Sequence, residues 1–155
     1  MRTPEQLTEK IQEFDTQLNE VSQRLKKQLA ALQRVNVNLY AMKEYFETRP
    51  VYLELKNKYF GREKFKEEHK KELSGYYRSE RILKENLDAN GKIPEGKWKR
   101  EADCLSEEIA ALRKEDKRIH AMLRKYEKVK NHVEVLMAEE GEGVSLPETN
   151  KREQS

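Results

Sequence analysis

The sequence predicts an all-α protein: a long antiparallel coiled-coil hairpin with a short-helix cap at one end. Three observations predict it. Leu7, Ile11, Phe14, Leu18, Val21, Leu25, Gln28, Leu32, Val35, Leu39, Met42 and Phe46 step by alternating fours and threes. Trp98, Ala102, Leu105, Ile109, Leu112, Asp116, Ile119, Leu123, Tyr126, Lys130, Val133 and Met137 do the same. A sustained 4-3 spacing averages 3.5 residues per repeat, which is the seam of a coiled coil. The third observation is composition: 35% hydrophobic against 39% charged residues suits solvated helices with a narrow apolar stripe, not a thick globular core.

The first helix has a written start. Thr3 stands at the N-cap, Pro4 at the first helical position and Gln6 three residues after the cap, a capping-box arrangement. It is expected to run to Thr48, where Arg49-Pro50 ends it, because proline removes a donor and restricts the residue before it. At ~1.5 Å per residue that helix is roughly 65 Å long. A short helix is expected over 51–59, closed by Gly61. Another begins at Arg62 and carries Phe65, Leu73, Tyr76, Leu83 and Leu87 on one face, with Gly75 as the place where it weakens or bends. Asn90-Gly91 is its stop. Ile93-Pro94-Glu95-Gly96 is a turn from which the last long helix starts. That helix should reach Glu140 and end at Gly141 and Gly143. The expected domain organisation is a helical coiled-coil domain over 1–140, with a cap insert at 50–97, and a disordered acidic tail over 141–155.

An antiparallel register follows if Leu7 meets Met137, so that paired positions sum to 144. Gln28 then meets Asp116 in one polar layer, Leu18 meets Tyr126, and Phe46 meets Trp98. Lys130 would lie with its stem along Phe14. A buried polar layer is a known device for fixing register.

Chemistry-bearing motifs are sparse. His69, His120 and His132 have no cysteine or paired carboxylate at ligand spacing, so no metal site is expected. No cofactor is expected either, since no glycine-rich phosphate loop occurs. No Gly-x-Ser-x-Gly or His-Glu-x-x-His pattern is present. Cys104, the single cysteine, adjoins a seam position and reads as a small buried or half-buried side chain. One cysteine forms no intrachain disulfide, which fits a reducing cytoplasm. No apolar run approaches the roughly 18 residues of a membrane span, so no membrane association is expected.

The net charge of +3 conceals an asymmetry. Residues 51–100 hold 14 Lys or Arg against 9 Asp or Glu, so the middle is basic and the remainder is net −2. Lys56, Lys58, Arg62, Lys64, Lys66, Lys70 and Lys71 are interleaved with Tyr59, Phe60 and Phe65, and Glu63, Glu67 and Glu68 dilute them to a net +4. These seven cations are the candidate nucleic-acid-binding residues, because Lys and Arg contacts to phosphate confer sequence-independent affinity. The plainer reading is an exposed helix face on which many of them form i,i+4 pairs.

Several stretches resemble a known family. Thr48-Arg49-Pro50-Val51-Tyr52, Lys64-Phe65-Lys66-Glu67-Glu68-His69 followed by Glu72-Leu73, and Ile93-Pro94 with Trp98 and Glu101 leading into Leu105 resemble the C-terminal helical region of relaxases. These are the mobilisation nucleases of conjugative and mobilisable elements. The resemblance covers roughly 35–140. In that family an N-terminal domain nicks DNA with a tyrosine nucleophile and a histidine-bound metal, and a charged helical tail follows. No His-x-His strand or tyrosine-bearing scaffold occurs here, so no catalytic residue carries over. The resemblance implies the non-catalytic tail, as a fragment or a separate small protein, and implies DNA, mobilisation proteins or secretion machinery as partners. The rival reading is a structural coiled-coil dimerisation module, a homodimer with no nucleic-acid role. It and the hairpin differ in whether the seams pair within one chain.

Overall fold

The computed structural model describes residues 3–145, with side chains through residue 140. Four helices make up the described chain: α1 (Pro4–Lys56), α2 (Arg62–Glu68), α3 (Lys70–Glu85) and α4 (Glu95–Ser145). No strand occurs among the described residues. The protein is all-α, as its patterning predicts. Its contacts divide into two compact units, Met1–Lys26 with Ala110–Ser155, and Lys27–Ile109.

The N-terminal cap forms as the sequence predicts. Gln6 N–H donates to Thr3 Oγ1 at 3.2 Å, and Thr3 N–H donates to Gln6 Oε1 at 2.9 Å. Two otherwise orphaned helix-end donors are thereby satisfied by each other's side chains.

In the first unit, α1 and α4 pack antiparallel. Phe14, Val21 and Ile119 form its buried core, with Leu18, Leu112, Met122, Leu123 and Tyr126 packed around them. The rings of Phe14 and Tyr126 are tilted at 51° with centroids 5.3 Å apart. That pair sums to 140, not 144, and Val21 with Ile119 gives the same sum. The register is therefore four residues away from the expected one. Leu7 is buried while Met137 is 54% exposed, so the expected Leu7–Met137 layer does not form. Lys130 pairs with Glu134 at 3.8 Å, and the ammonium over the Phe14 ring is Lys10, 5.4 Å from its centroid.

In the second unit, Val35, Ala41 and Met42 of α1, Leu83 of α3 and Trp98 of α4 form one buried cluster. Met42 with Trp98 again sums to 140. Phe46 lies one step beyond and is 52% exposed, because in this register its opposite position is residue 94, just before α4 begins. Gln28 donates to Glu108 Oε2, not to Asp116, whose ion-pair partner is His120 at 3.5 Å. A four-residue slip leaves the apolar stripe of each helix unchanged and still sets Leu7, Phe14, Val21, Gln28, Val35 and Met42 opposite seam positions, with the intervening seam residues one position off. The stripe within each helix therefore cannot distinguish the two registers. The cluster of Trp98 with α3 and with Ile93 can.

Pro50 does not end α1, which continues to Lys56. The helix loses one donor there, but the residues beyond it have somewhere to pack. Val51 and Tyr52 lie against a second cluster of Leu55, Phe65 and Leu73, and the Tyr52 ring stacks on Tyr76 at 4.2 Å. Burial of that face outweighs a missing hydrogen bond. No separate helix over 51–59 exists; its residues belong to α1 and the following loop. Cys104 is exposed, outside the seam it adjoins.

The helix expected from Arg62 is broken at His69, with φ −114° and ψ 27°, and not bent at Gly75. Gly75 is buried inside α3. A Cβ there would come within 3.1 Å of Glu44 Oε1, so glycine lets α3 lie close to α1. α3 stops at Glu85, short of Asn90-Gly91, which instead closes a turn. In that turn Asp88 Oδ1 accepts from Asn90 N–H at 2.8 Å and Lys92 N–H at 2.9 Å, and Gly91 takes φ 73°. α4 runs through Gly141 and Gly143 to Ser145, past the end those glycines were expected to set. The rest of the expected disordered tail, 146–155, lies outside the described residues.

Candidate nucleic-acid interface

The seven candidate cations fall on one sequence-local corner of the second unit. Lys56 ends α1, Lys58 lies in the loop, Arg62, Lys64 and Lys66 are on α2, and Lys70 and Lys71 open α3. The corner is built on Phe65, buried with Leu55 and Leu73. Gly61, at φ 68°, turns the chain from the loop into α2. A side chain with a Cβ rarely adopts that conformation.

The seven are not equivalent. Arg62 Nη1 donates to the carbonyls of Leu55 at 2.9 Å and Lys58 at 3.0 Å. Its guanidinium closes the C-terminal end of α1, where backbone acceptors lack helical partners. Lys58 Nζ sits 4.9 Å from the Phe65 ring centroid, a cation–π contact that anchors its stem. Lys66 is 3.7 Å from Glu63, and Lys64 is 4.0 Å from Glu68, both highly exposed and worth little to stability. Lys56, Lys70 and Lys71 are exposed and make no ion pair among the described residues. Arg62 and Lys58 are thus chiefly structural, and Lys56, Lys64, Lys66, Lys70 and Lys71 present charge to solvent.

Two aromatic residues complete the corner. Tyr59 is 92% exposed and Phe60 88% exposed, adjacent in the loop between Lys58 and Arg62. Phe65, the third interleaved aromatic, turns inward. Sequence spacing could not separate these roles, because all three occur in the same basic run.

His69 Nδ1 lies 3.3 Å from Glu72 Oε2, and its ring packs on Phe65. Among the described residues no three His, Cys, Asp or Glu side chains group as a metal site would require. No described helix is long and apolar enough to cross a membrane.

Sequence reasoning missed two surfaces of the second unit. One is a groove of about 420 Å³ between α1 and α3, lined by Leu29, Val37 and Tyr40 with Ile82. Its sequence signal is a second 4-3-4 stripe, Leu29, Gln33, Asn36 and Tyr40, which the dominant seam overshadows. The other is a cleft of about 530 Å³ beside Phe46, a residue that the expected register buried. No protein-family model, curated protein or solved structure matches this chain.

Proposed function

We propose that this chain is a non-catalytic helical interaction module whose basic corner contacts DNA, serving plasmid or transposon mobilisation in the cytoplasm as the relaxase-tail resemblance implies. The observation that carries the DNA reading is Tyr59-Phe60, two almost fully exposed rings beside lysines that face solvent. Exposed adjacent aromatics are uncommon on a surface that nothing covers. Bases stack on aromatic faces, and lysines meet the phosphates. The helical framework supplies rigidity: the Phe65 core and the Arg62 closure hold the corner in place. The mobilisation role rests on the resemblance alone.

The test is binding of single-stranded and duplex oligonucleotides by fluorescence anisotropy at low salt. The unmodified protein binds, and affinity falls steeply as salt rises. Reversing charge at Lys56, Lys64, Lys70 and Lys71 abolishes binding while helicity is retained. No binding by the unmodified protein, or equal binding by the variant, overturns the reading.

A second reading, homodimerisation, is favoured by the exposed α1 stripe. Laid antiparallel on a second copy about a two-fold axis, Leu29 meets Tyr40 and Gln33 meets Asn36, with Val37 on the flank of the contact. Apolar positions then face apolar ones and the two amides pair centrally, as an isologous contact requires. Light scattering after gel filtration separates the cases. A dimer that Val37→Glu with Tyr40→Glu converts to a monomer supports this reading, and a monomeric unmodified protein removes it.

A further inference from the structure

The cleft beside Phe46 combines three properties seldom found together on a surface feature. It is concave, with a volume of about 530 Å³. One wall is aromatic: Phe46 is half exposed, its ring set edge-on to Tyr45 at 5.5 Å, and Tyr45 stacks on Tyr76 at 5.4 Å. Its rim is cationic, with Arg49, Lys84 and Lys92 against the single carboxylate of Glu80.

The carboxylate is already engaged. Glu80 Oε1 lies 2.7 Å from Lys84 Nζ, and the hydrogen bond from Lys84 holds the Glu80 carboxyl below its usual range. Arg49 and Lys92 are left as the net positive pair at the rim. Lys92 is placed by the backbone: its N–H donates to Asp88 Oδ1 at 2.9 Å and its carbonyl accepts from Asp88 N–H at 2.8 Å. Arg49 follows Phe46 by three positions on α1, so ring and guanidinium lie on neighbouring parts of one helix face. Small-molecule sites are concave, mainly apolar and carry a few convergent polar groups, with volumes of roughly 300–1,000 Å³.

We infer that this cleft binds a phosphate monoester that also carries a planar aromatic ring, the chemistry of a nucleoside monophosphate, with its ring against Phe46 and its phosphate between Arg49 and Lys92. The excess of two cations matches a phosphate dianion better than a carboxylate. The aromatic wall supplies a stacking face that a simple anion would not use. The inference goes beyond the DNA-binding reading and does not depend on it, since none of these residues belongs to the basic corner.

The test is isothermal titration calorimetry of the full chain with adenosine 5′-monophosphate, adenosine and inorganic phosphate. Adenosine 5′-monophosphate binds saturably, about tenfold or more tighter than either part alone, as 1.4 kcal/mol of added contact implies. Phe46→Ala and Lys92→Ala each weaken it at least fivefold, with circular dichroism unchanged. Charge reversal at Lys56, Lys64, Lys70 and Lys71 leaves it intact, so its outcome is separable from that of the DNA reading. A 5′-phosphorylated trinucleotide identifies the source: tighter binding assigns a strand end, and equal or weaker binding a free nucleotide. No saturable binding of adenosine 5′-monophosphate, or binding that both substitutions leave unchanged, overturns the inference.

Discussion

Phe14 and Tyr126 meet with ring centroids 5.3 Å apart, and that single pair identifies the register of the first unit. Truncating either ring should open a cavity in the Phe14–Val21–Ile119 core. Phe14→Ala is expected to cost about 3–5 kcal/mol in urea denaturation. In a double-mutant cycle with Tyr126→Ala the coupling should be about 0.5–1.5 kcal/mol. A cycle pairing Phe14 with Lys130 should show none.

Gly75 and Glu44 share one small space. Gly-to-Ala in an open helix gains roughly 0.5–1 kcal/mol. Gly75→Ala should gain less, because its Cβ must displace a carboxylate held by Arg78 Nη2 at 2.8 Å and 3.0 Å. Adding Glu44→Ala should restore the ordinary gain, read as non-additivity in thermal melts.

Pro50 sits inside α1 without a donor for the preceding turn. Pro50→Ala restores that hydrogen bond and should raise stability by about 1–2 kcal/mol, less than the ~3 kcal/mol helix-interior penalty because proline also restricts the unfolded chain. A loss of stability would mean that local bending at Pro50 is required for the Leu55–Phe65–Leu73 packing.

Arg62 closes α1 by donating from one nitrogen, Nη1, to the carbonyls of Leu55 and Lys58. Arg62→Ala should increase hydrogen exchange at the end of α1. Its effect on the salt dependence of DNA binding should be smaller than that of Lys70→Ala.

Tyr76 is the clearest pH-dependent group. Burial pushes its hydroxyl well above the ordinary phenol value of 10.0, and Tyr45 and the Glu80 carboxylate add to this. A raised folded-state pKa contributes stability that is present below pH 10 and is lost as pH rises further, when only the unfolded chain ionises. Stability should therefore fall on the alkaline side of pH 10. Tyr76→Phe keeps the stacked ring and should flatten that limb in pH-resolved denaturation.

Much of the fold was legible because helical periodicity is local. Eleven of the twelve seam positions in each stretch are buried or half buried, the exceptions being the terminal Phe46 and Met137. The basic corner was legible as a charge run, but the division of labour inside it was not. Arg62 and Lys66 look alike in sequence. Only the folded loop turns one onto backbone carbonyls and leaves the other in water.

By itself, the sequence determined the two long helices, the N-terminal cap and which face of each long helix turns inward. These follow from the spacing of apolar side chains and from chemistry within a few residues. Tertiary structure alone decided the register, the passage of α1 through Pro50 and the cleft beside Phe46. A slip of four residues leaves the stripe within each helix as it was, so local pattern is indifferent to it. The choice is made where Trp98 packs with Met42 and Leu83, and where Val51, Tyr52 and Leu55 find partners beyond the proline. Long-range burial outweighs a local helix-breaking preference there, and it leaves Phe46 beyond the start of α4, half exposed at the rim of the cleft.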